Sequence, residues 1–204
     1  MPTGTPLYGR RLDEAVALAL DAFRDRTRKG SRVPYIAHLF QVMVSVAEHG
    51  GDEDQLIAAV LHDYLEDIDG SNVVELRERF GARVAQMVES LSDTHEHPKP
   101  DWHTRKLMHL ERMRGFDAAT RLVCAADKLH NARCILADMD REGLAAFDRF
   151  NKPAEATLWY YSELVPALGH GWSHPLLDAL AEAVRQMRDR AEELGARPAS
   201  SGSE

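Results

Sequence analysis

Apolar residues recur at three- and four-residue spacing along almost the whole chain. Leu12, Ala15, Val16, Ala19, Leu20 and Phe23 set the pattern near the start, and it is the pattern of one face of an α-helix. No stretch of any length alternates apolar with polar residues, so no strand is predicted. The fold class that follows is all-α, in one domain. Helix breakers divide it. A first helix is predicted over about 11–29, ended by Gly30-Ser31. Pro34 starts a second over 35–48, and Gly50-Gly51 stops it. Asp52 caps a third over 53–67, and Asp69-Gly70-Ser71 is a turn. Short helices fit 72–80 and 82–92, and the polar stretch from Ser92 to Trp102, with Pro98 and Pro100, reads as a loop. Helices resume over 102–114, 117–140, 153–168 and 175–194. Residues 1–10 are read as an N-terminal extension, and the small, polar residues 195–204 as a disordered tail.

A chain of 204 residues can build a core without disulfide or metal staples. Its 25 Lys and Arg stand against 33 Asp and Glu, a formal net charge of −8. Such a surface repels nucleic-acid polymers and anionic membranes. It still admits a small phosphorylated ligand held in a local basic pocket. Cys124 and Cys134 are the two cysteines. Ten residues apart on one helix, they would lie ~15 Å apart, beyond disulfide reach. The segment from Met1 to Arg11 lacks the apolar stretch of a signal peptide, and no apolar run is long enough to span a bilayer. A cytoplasmic protein is expected.

The informative residues are polar ones set into apolar helices. The run from Leu56 to Leu61 leads into His62-Asp63-Tyr64-Leu65-Glu66-Asp67. On a continuous helix His62 and Glu66 stack on one side, and Asp63 and Asp67 stack ~100° away. Such a ridge is either a solvated helix end or a site closed round a cation, since burying it alone is costly. His38 sits in the first turn of an apolar helix, where it is a core residue or a ligand. Asp127 interrupts the apolar run from Leu122 to Ala126 and needs a partner. Asn131 lies one turn further on the same face, as a buried amide or a ligand contact. Taken together, His38, His62, Asp63 and Asp127 make a divalent-metal donor set. Mixed imidazole and carboxylate donors suit Mn, Fe, Co or Zn better than Ca. Four such ligands leave coordination positions open for water and a phosphoryl oxygen.

The spacing H…HD…D resembles the signature of the HD-domain metal-dependent phosphohydrolases. Longer segments resemble the hydrolase domain of the RelA/SpoT alarmone enzymes and the single-domain small alarmone hydrolases. These are RKGSRVPYIAH (28–38), HDYLED (62–67), ADKLHNAR (126–133) and TLWYY (157–161). The resemblance covers about residues 11–170 and implies an HD-type helical bundle over 11–194. It implies hydrolysis of the 3′-pyrophosphate of (p)ppGpp, usually with Mn²⁺, to a nucleoside 5′-di- or triphosphate and pyrophosphate. It implies His38, His62, Asp63 and Asp127 as metal ligands. Glu66 and Asp67 would be the acid pair that deprotonates the attacking water. Arg28, Lys29, Tyr35, Asn131 and Tyr161 would contact the nucleotide. About 34 residues follow the resembling stretch, too few for a synthetase domain, so a hydrolase alone is expected.

Some positions depart from the long enzymes. Four residues, not three, separate Lys29 from Pro34; Arg26 replaces a usual Gln, Phe23 a usual His, and Glu155 a usual Arg. The changes touch substrate contacts rather than the metal set, and leave adenine alarmones open beside guanine ones. Lys99, Arg105 and Lys106 are further phosphate candidates, or a solvated helix start. A general HD nucleotidase or phosphodiesterase shares the metal set without needing the 28–38 and 157–161 segments. A low-turnover binding or antitoxin-like module would have no use for Glu66-Asp67.

Overall fold

Residues 120–127 are buried without a break, which on a helix means burial on every side. They belong to α8 (Ala118–Glu142), the central element of the bundle. In the computed structural model, residues 8–93, 100–150 and 152–196 are described, and among them the chain is helical, with no strand beyond one isolated bridge. The other helices are α1 (Arg10–Ala22), α2 (Tyr35–Glu48), α3 (Glu53–Leu61), α4 (Tyr64–Asp67), α5 (Val73–Phe80), α6 (Ala82–Leu91), α7 (Trp102–Arg114), α9 (Ala154–Leu168) and α10 (Pro175–Glu193), with a 3₁₀ turn over Gly143–Phe147 after α8. α2, α3, α6 and α10 pack round α8. No helix among the described residues is long and apolar enough to cross a membrane. Residues 197–204 of the expected tail lie outside the described residues, as does Lys99.

Side-chain caps fix the helix starts. Asp52 and Gln55 form a reciprocal capping box at α3. Asn72, Asp101 and Asp117 accept backbone N–H bonds at the starts of α5, α7 and α8. Arg121, 5% exposed, ties the ends of two helices to α8. It donates to the carbonyls of Arg114 (2.7 Å), which ends α7, and Leu168, which ends α9. A cation there satisfies orphan carbonyls at the negative ends of both helix dipoles.

Two expected boundaries differ, and both shape the site. α1 ends at Ala22, not near residue 29. The apolar stripe stops at Phe23, and the next nine residues carry five Arg or Lys and no apolar side chain. With nothing to bury, helix has little to hold it. The segment instead folds back on itself. Thr27 bridges Pro34, Arg28 N–H donates to the Val33 carbonyl (2.9 Å), and Tyr35 N–H to that of Arg26 (2.9 Å). Gly30 turns the loop at φ +68°, and an added Cβ would lie 3.0 Å from Arg149 Nε. Arg28 and Lys29 thus stand on a closed loop, not a helix end.

The second difference is a break between α3 and α4 at His62-Asp63. His62 Nδ1 bonds the Ala59 carbonyl at 2.7 Å. An unbroken helix reserves that carbonyl for the Asp63 N–H. Asp63 takes φ −94°, ψ 2°, the bridge region common at active sites. The break swings two adjacent side chains toward one point.

Candidate functional site

Four side chains from three segments converge. α2 supplies His38, the α3–α4 junction supplies His62 and Asp63, and the middle of α8 supplies Asp127. The Nε2 atoms of His38 and His62 lie 3.2 Å apart. Asp63 Oδ2 is 3.6 Å from His38 Nε2 and 3.0 Å from His62 Nε2. Asp127 Oδ1 is 3.3 Å and 3.5 Å from the same two atoms. One donor atom each from His38, His62 and Asp127 fall within 4.8 Å of one another, and all three residues are buried.

Tautomers are assigned from the partners. His62 Nδ1 gives its proton to the Ala59 carbonyl, which turns the Nε2 lone pair inward. His38 Nδ1 meets His130 Nδ1 at 2.7 Å. Burial, with the charges of His38 and Arg28, pushes His130 down to about 4, so it is neutral and can accept that proton. The His38 Nε2 lone pair then also faces inward. Two imidazole lone pairs and two carboxylate oxygens at one point are a fitting donor set for a divalent ion. The electrostatics agree. Burial opposes a charged His62, but Asp63 and Asp127 outweigh it and hold the imidazole well above its ordinary value. Burial also opposes ionised Asp127, but Lys128 and His62 hold it well below the usual carboxylate range. Burial opposes ionised Asp63 in the same way, and His62 and His38 overcome it. The pocket stabilises positive charge at its centre, whether proton or metal.

Surrounding groups orient the donors. Asn131 Nδ2 donates to Asp127 Oδ1 (2.6 Å), and Lys128 Nζ to Asp127 Oδ2 (2.6 Å). Arg28 donates to the Asn131 side-chain oxygen and lies 5.7 Å from the Tyr35 ring centre. Tyr35 Oη donates to Asp63 Oδ2 at 2.6 Å, and the Tyr35 ring stacks on Phe23. Glu66 and Asp67 lie on α4, one turn past the break. Glu66 Oε2 accepts the Asp93 N–H at 3.3 Å. Burial, with the charges of Asp63 and Glu66, raises the Asp67 carboxyl above its ordinary value. Arg26 donates to the Asp67 carbonyl at 3.0 Å, pinning α4 to the 28–38 loop.

His38, Asp63, Asp127, Glu66 and Asp67, with Arg28, Tyr35, Lys128 and Asn131, open on one cleft of about 800 Å³. Eight Lys and Arg line it against six Asp and Glu, an excess of cations in a chain of net charge −8. The sequence profile of the HD domain matches residues 15–152. The chain belongs to the HD domain family. The HD domain here is 30% identical over 164 residues to a guanosine-3′,5′-bis(diphosphate) 3′-pyrophosphohydrolase of Aquifex aeolicus, covering 80% of this chain and 22% of that one. It is 31% identical over 166 residues to the bifunctional (p)ppGpp synthase/hydrolase SpoT of Escherichia coli, covering 78% of this chain and 22% of that one. It therefore spans about a fifth of the length of these relatives. A solved structure described as a metazoan ortholog of SpoT that hydrolyzes ppGpp shares the fold, with a TM-score of 0.72 and 24% identity, over 90% of this chain and 98% of that one. A Listeria monocytogenes structure does so with a TM-score of 0.67 and 24% identity, over 74% of this chain and 99% of that one.

Of the site residues that the resemblance implies, the cleft brings together all but His62, whose Nε2 lies 3.2 Å from that of His38. Lys29, Tyr161, Arg105 and Lys106 line its wall. The structure adds His130, Lys128, Asp93 and Tyr160. His130 and Lys128 stand inside the ADKLHNAR segment, but His130 meets a partner 92 residues away. Asp93 opens a polar stretch whose residue types give no cue to a contact on Glu66.

Proposed function

We propose that the HD domain is a metal-dependent phosphohydrolase that removes the 3′-pyrophosphate of (p)ppGpp, with (p)ppApp as a second candidate substrate. The observation that carries the reading is the joint geometry. A two-His, two-Asp donor centre and an acid pair open together on a cleft that concentrates cations in an acidic chain. The names of the relatives and the extent of the match support the choice of substrate. His38, His62, Asp63 and Asp127 would hold Mn²⁺, with Fe, Co or Zn as ions the same donors accept. Held by these residues, such an ion would supply an acidified water and polarisation of a phosphoryl oxygen.

The chain's own groups supply the rest. Water attacks the sugar-proximal phosphorus of the 3′-diphosphate. The bond from that phosphorus to O3′ breaks, the ribose keeps O3′ and gains a proton, and the diphosphate leaves with the water oxygen. Asp67, held above the ordinary carboxylate range, and Glu66 beside it are the proton acceptors for the attacking water. Arg28 and Lys29 bring cations to the nucleotide phosphates from the closed loop. Tyr35, Asn131 and Tyr161 wall the nucleotide, and Tyr35 and Asn131 also fix the Asp63 and Asp127 carboxylates. Arg26 and Phe23 do not face the ligand as free contacts, because one caps α4 and the other stacks under Tyr35.

The test is a product assay with Mn²⁺ on a panel of guanosine and adenosine 3′-diphosphates, beside plain mononucleotides. Release of pyrophosphate from the 3′-diphosphates supports the reading. Orthophosphate from plain mononucleotides at an equal or greater rate replaces it with a general HD nucleotidase.

A further inference from the structure

A second group of cations in the cleft has no part in the reaction as described so far. Arg105 and Lys106, near the start of α7, and Lys128, in α8, line the cleft with side chains only 17%, 20% and 20% exposed. Among the described residues Asp93 pairs with both of the first two, and the Glu66 charge also reaches Lys106. Asp93, its side chain 7% exposed, pairs with Arg105 through Oδ2 and stands 3.3 Å from Lys106 Nζ through Oδ1. That contact lacks hydrogen-bond geometry, so Asp93 Oδ1 is a buried oxygen without a hydrogen-bond partner among the described residues. Tyr160 Oη is the other such side-chain atom, and Tyr160 lines the same wall with Lys106 Nζ 4.7 Å from its ring centre.

The local field is positive. His109, 2% exposed, is pushed down to about 3 by burial and by Lys128, Lys106 and Arg112, against the pull of Asp93. Arg105 Nε turns to the Pro100 carbonyl at 3.2 Å, while the Lys106 ammonium and the Tyr160 phenol have no hydrogen-bond acceptor among the described residues, so this pair of donors is short of an acceptor. A terminal phosphoryl, with two negative charges and three acceptor oxygens, meets that shortage. The position is also specific. Asp93 N–H bonds Glu66 Oε2 at 3.3 Å, and Lys128 Nζ bonds Asp127 Oδ2 at 2.6 Å. The cations therefore adjoin both the acid pair and the donor centre on the wall of one cleft.

We propose that Arg105, Lys106 and Tyr160 form a seat for the distal phosphoryl of a 3′-diphosphate. Asp93 is the internal anion that keeps the two cations in place when the seat is empty, and the phosphoryl takes over its pairing. The inference rests on the reaction proposed above and supplies a reason for that site to act on a diphosphate rather than a 3′-monophosphate.

The experiment compares kcat/KM for guanosine 5′-diphosphate 3′-diphosphate with that for the 3′-monophosphate analogue, in the wild type, Arg105→Met and Lys106→Met. Both substrates are measured on one protein, so a loss of fold or metal cancels from the ratio. The wild type should favour the diphosphate, and either variant should lose tenfold or more of that preference. An unchanged ratio in both variants overturns the seat. If the wild type hydrolyses only one of the nucleotides, or neither, calorimetric titration with inorganic pyrophosphate without added metal decides instead. Binding that weakens tenfold or more in Lys106→Met supports the seat. Equal affinity, or no binding by the wild type, overturns it. Failure on both nucleotides with intact pyrophosphate binding would remove the reaction and leave the seat standing.

Discussion

Asp63 and Asp127 make the same kind of contribution to the donor centre, yet their loss should cost the fold unequally. Asp127 is 5% exposed and pairs at 2.6 Å with the Lys128 ammonium, whose side chain is 20% exposed. Asp127→Asn leaves that ammonium without its counter-charge, and breaking a buried pair in this way costs ~3–5 kcal/mol. For a chain of 150–250 residues each kcal/mol moves Tm by ~2–4 °C, so the expected loss is about 6–20 °C. Among the described residues Asp63 pairs with no lysine or arginine. Its partners are the Tyr35 hydroxyl and the two imidazoles, and the negative charge of Asp127 opposes it. Asp63→Asn gives up a charge-assisted hydrogen bond worth ~1.5–3 kcal/mol but relieves that repulsion, leaving a net loss on the order of 1 kcal/mol. That is about 2–4 °C. Both variants should lose bound metal and turnover. The assay is thermal unfolding by circular dichroism in chelator, beside metal content after reconstitution with Mn²⁺. Equal Tm losses would refute the assignment of Lys128 to Asp127, and metal retained by either variant would refute the donor set.

Three further outcomes follow from the same geometry. Glu66→Gln should keep its metal and lose ~10²–10⁴-fold in kcat; a rise in KM at unchanged kcat would make Glu66 a binding residue instead. Arg28→Ala and Lys29→Ala should each raise KM for a 3′-diphosphate, and only Arg28→Ala, which also releases Asn131, should disturb metal binding as read by Mn²⁺ titration. The third concerns pH. Asp63 and Asp127 sit below their ordinary range, so in metal-free protein their stabilisation is complete above ~4 and is lost as pH falls through the folded values. His62 sits above its ordinary value, so its contribution is complete below ~6.5 and is lost as pH rises through the folded value. Metal must displace that proton, so Mn²⁺ affinity should climb with pH over the range in which metal-free stability declines. Parallel trends in Tm and affinity would contradict this.

The helical class, most helix boundaries and the residues of the donor centre were legible in the sequence because each has a local signature. Periodicity marks the helices, and Asp52, Asp101 and Asp117 stand where caps are needed. His38 and Asp127 are conspicuous because they interrupt apolar runs. Two kinds of feature were not legible. The first is a backbone event decided by side-chain competition. Nothing local to His62 says that its ring will take the Ala59 carbonyl and break the helix. On a continuous helix His62 and Asp63 stand ~100° apart, whereas the break brings Nε2 and Oδ2 to 3.0 Å. The second is a pairing across long separation. His130 with His38, Arg28 with Asn131, and Arg121 with the ends of α7 and α9 join residues that only the packed bundle brings together. The end of α1 falls between these cases. The run of five cations after Phe23 argues against helix, but the loop that replaces it needs Gly30 seated against Arg149.

The central claim is the bond that is broken, and an isotope reads it directly. Hydrolysis of guanosine 5′-diphosphate 3′-diphosphate by the Mn²⁺-loaded protein in ¹⁸O-water, followed by mass spectrometry of both products, identifies the phosphorus product and locates the new oxygen. Attack at the sugar-proximal phosphorus predicts pyrophosphate carrying one ¹⁸O atom and an unlabelled guanosine 5′-diphosphate. Orthophosphate as the phosphorus product, or ¹⁸O at the 3′ oxygen of the nucleoside, would contradict it.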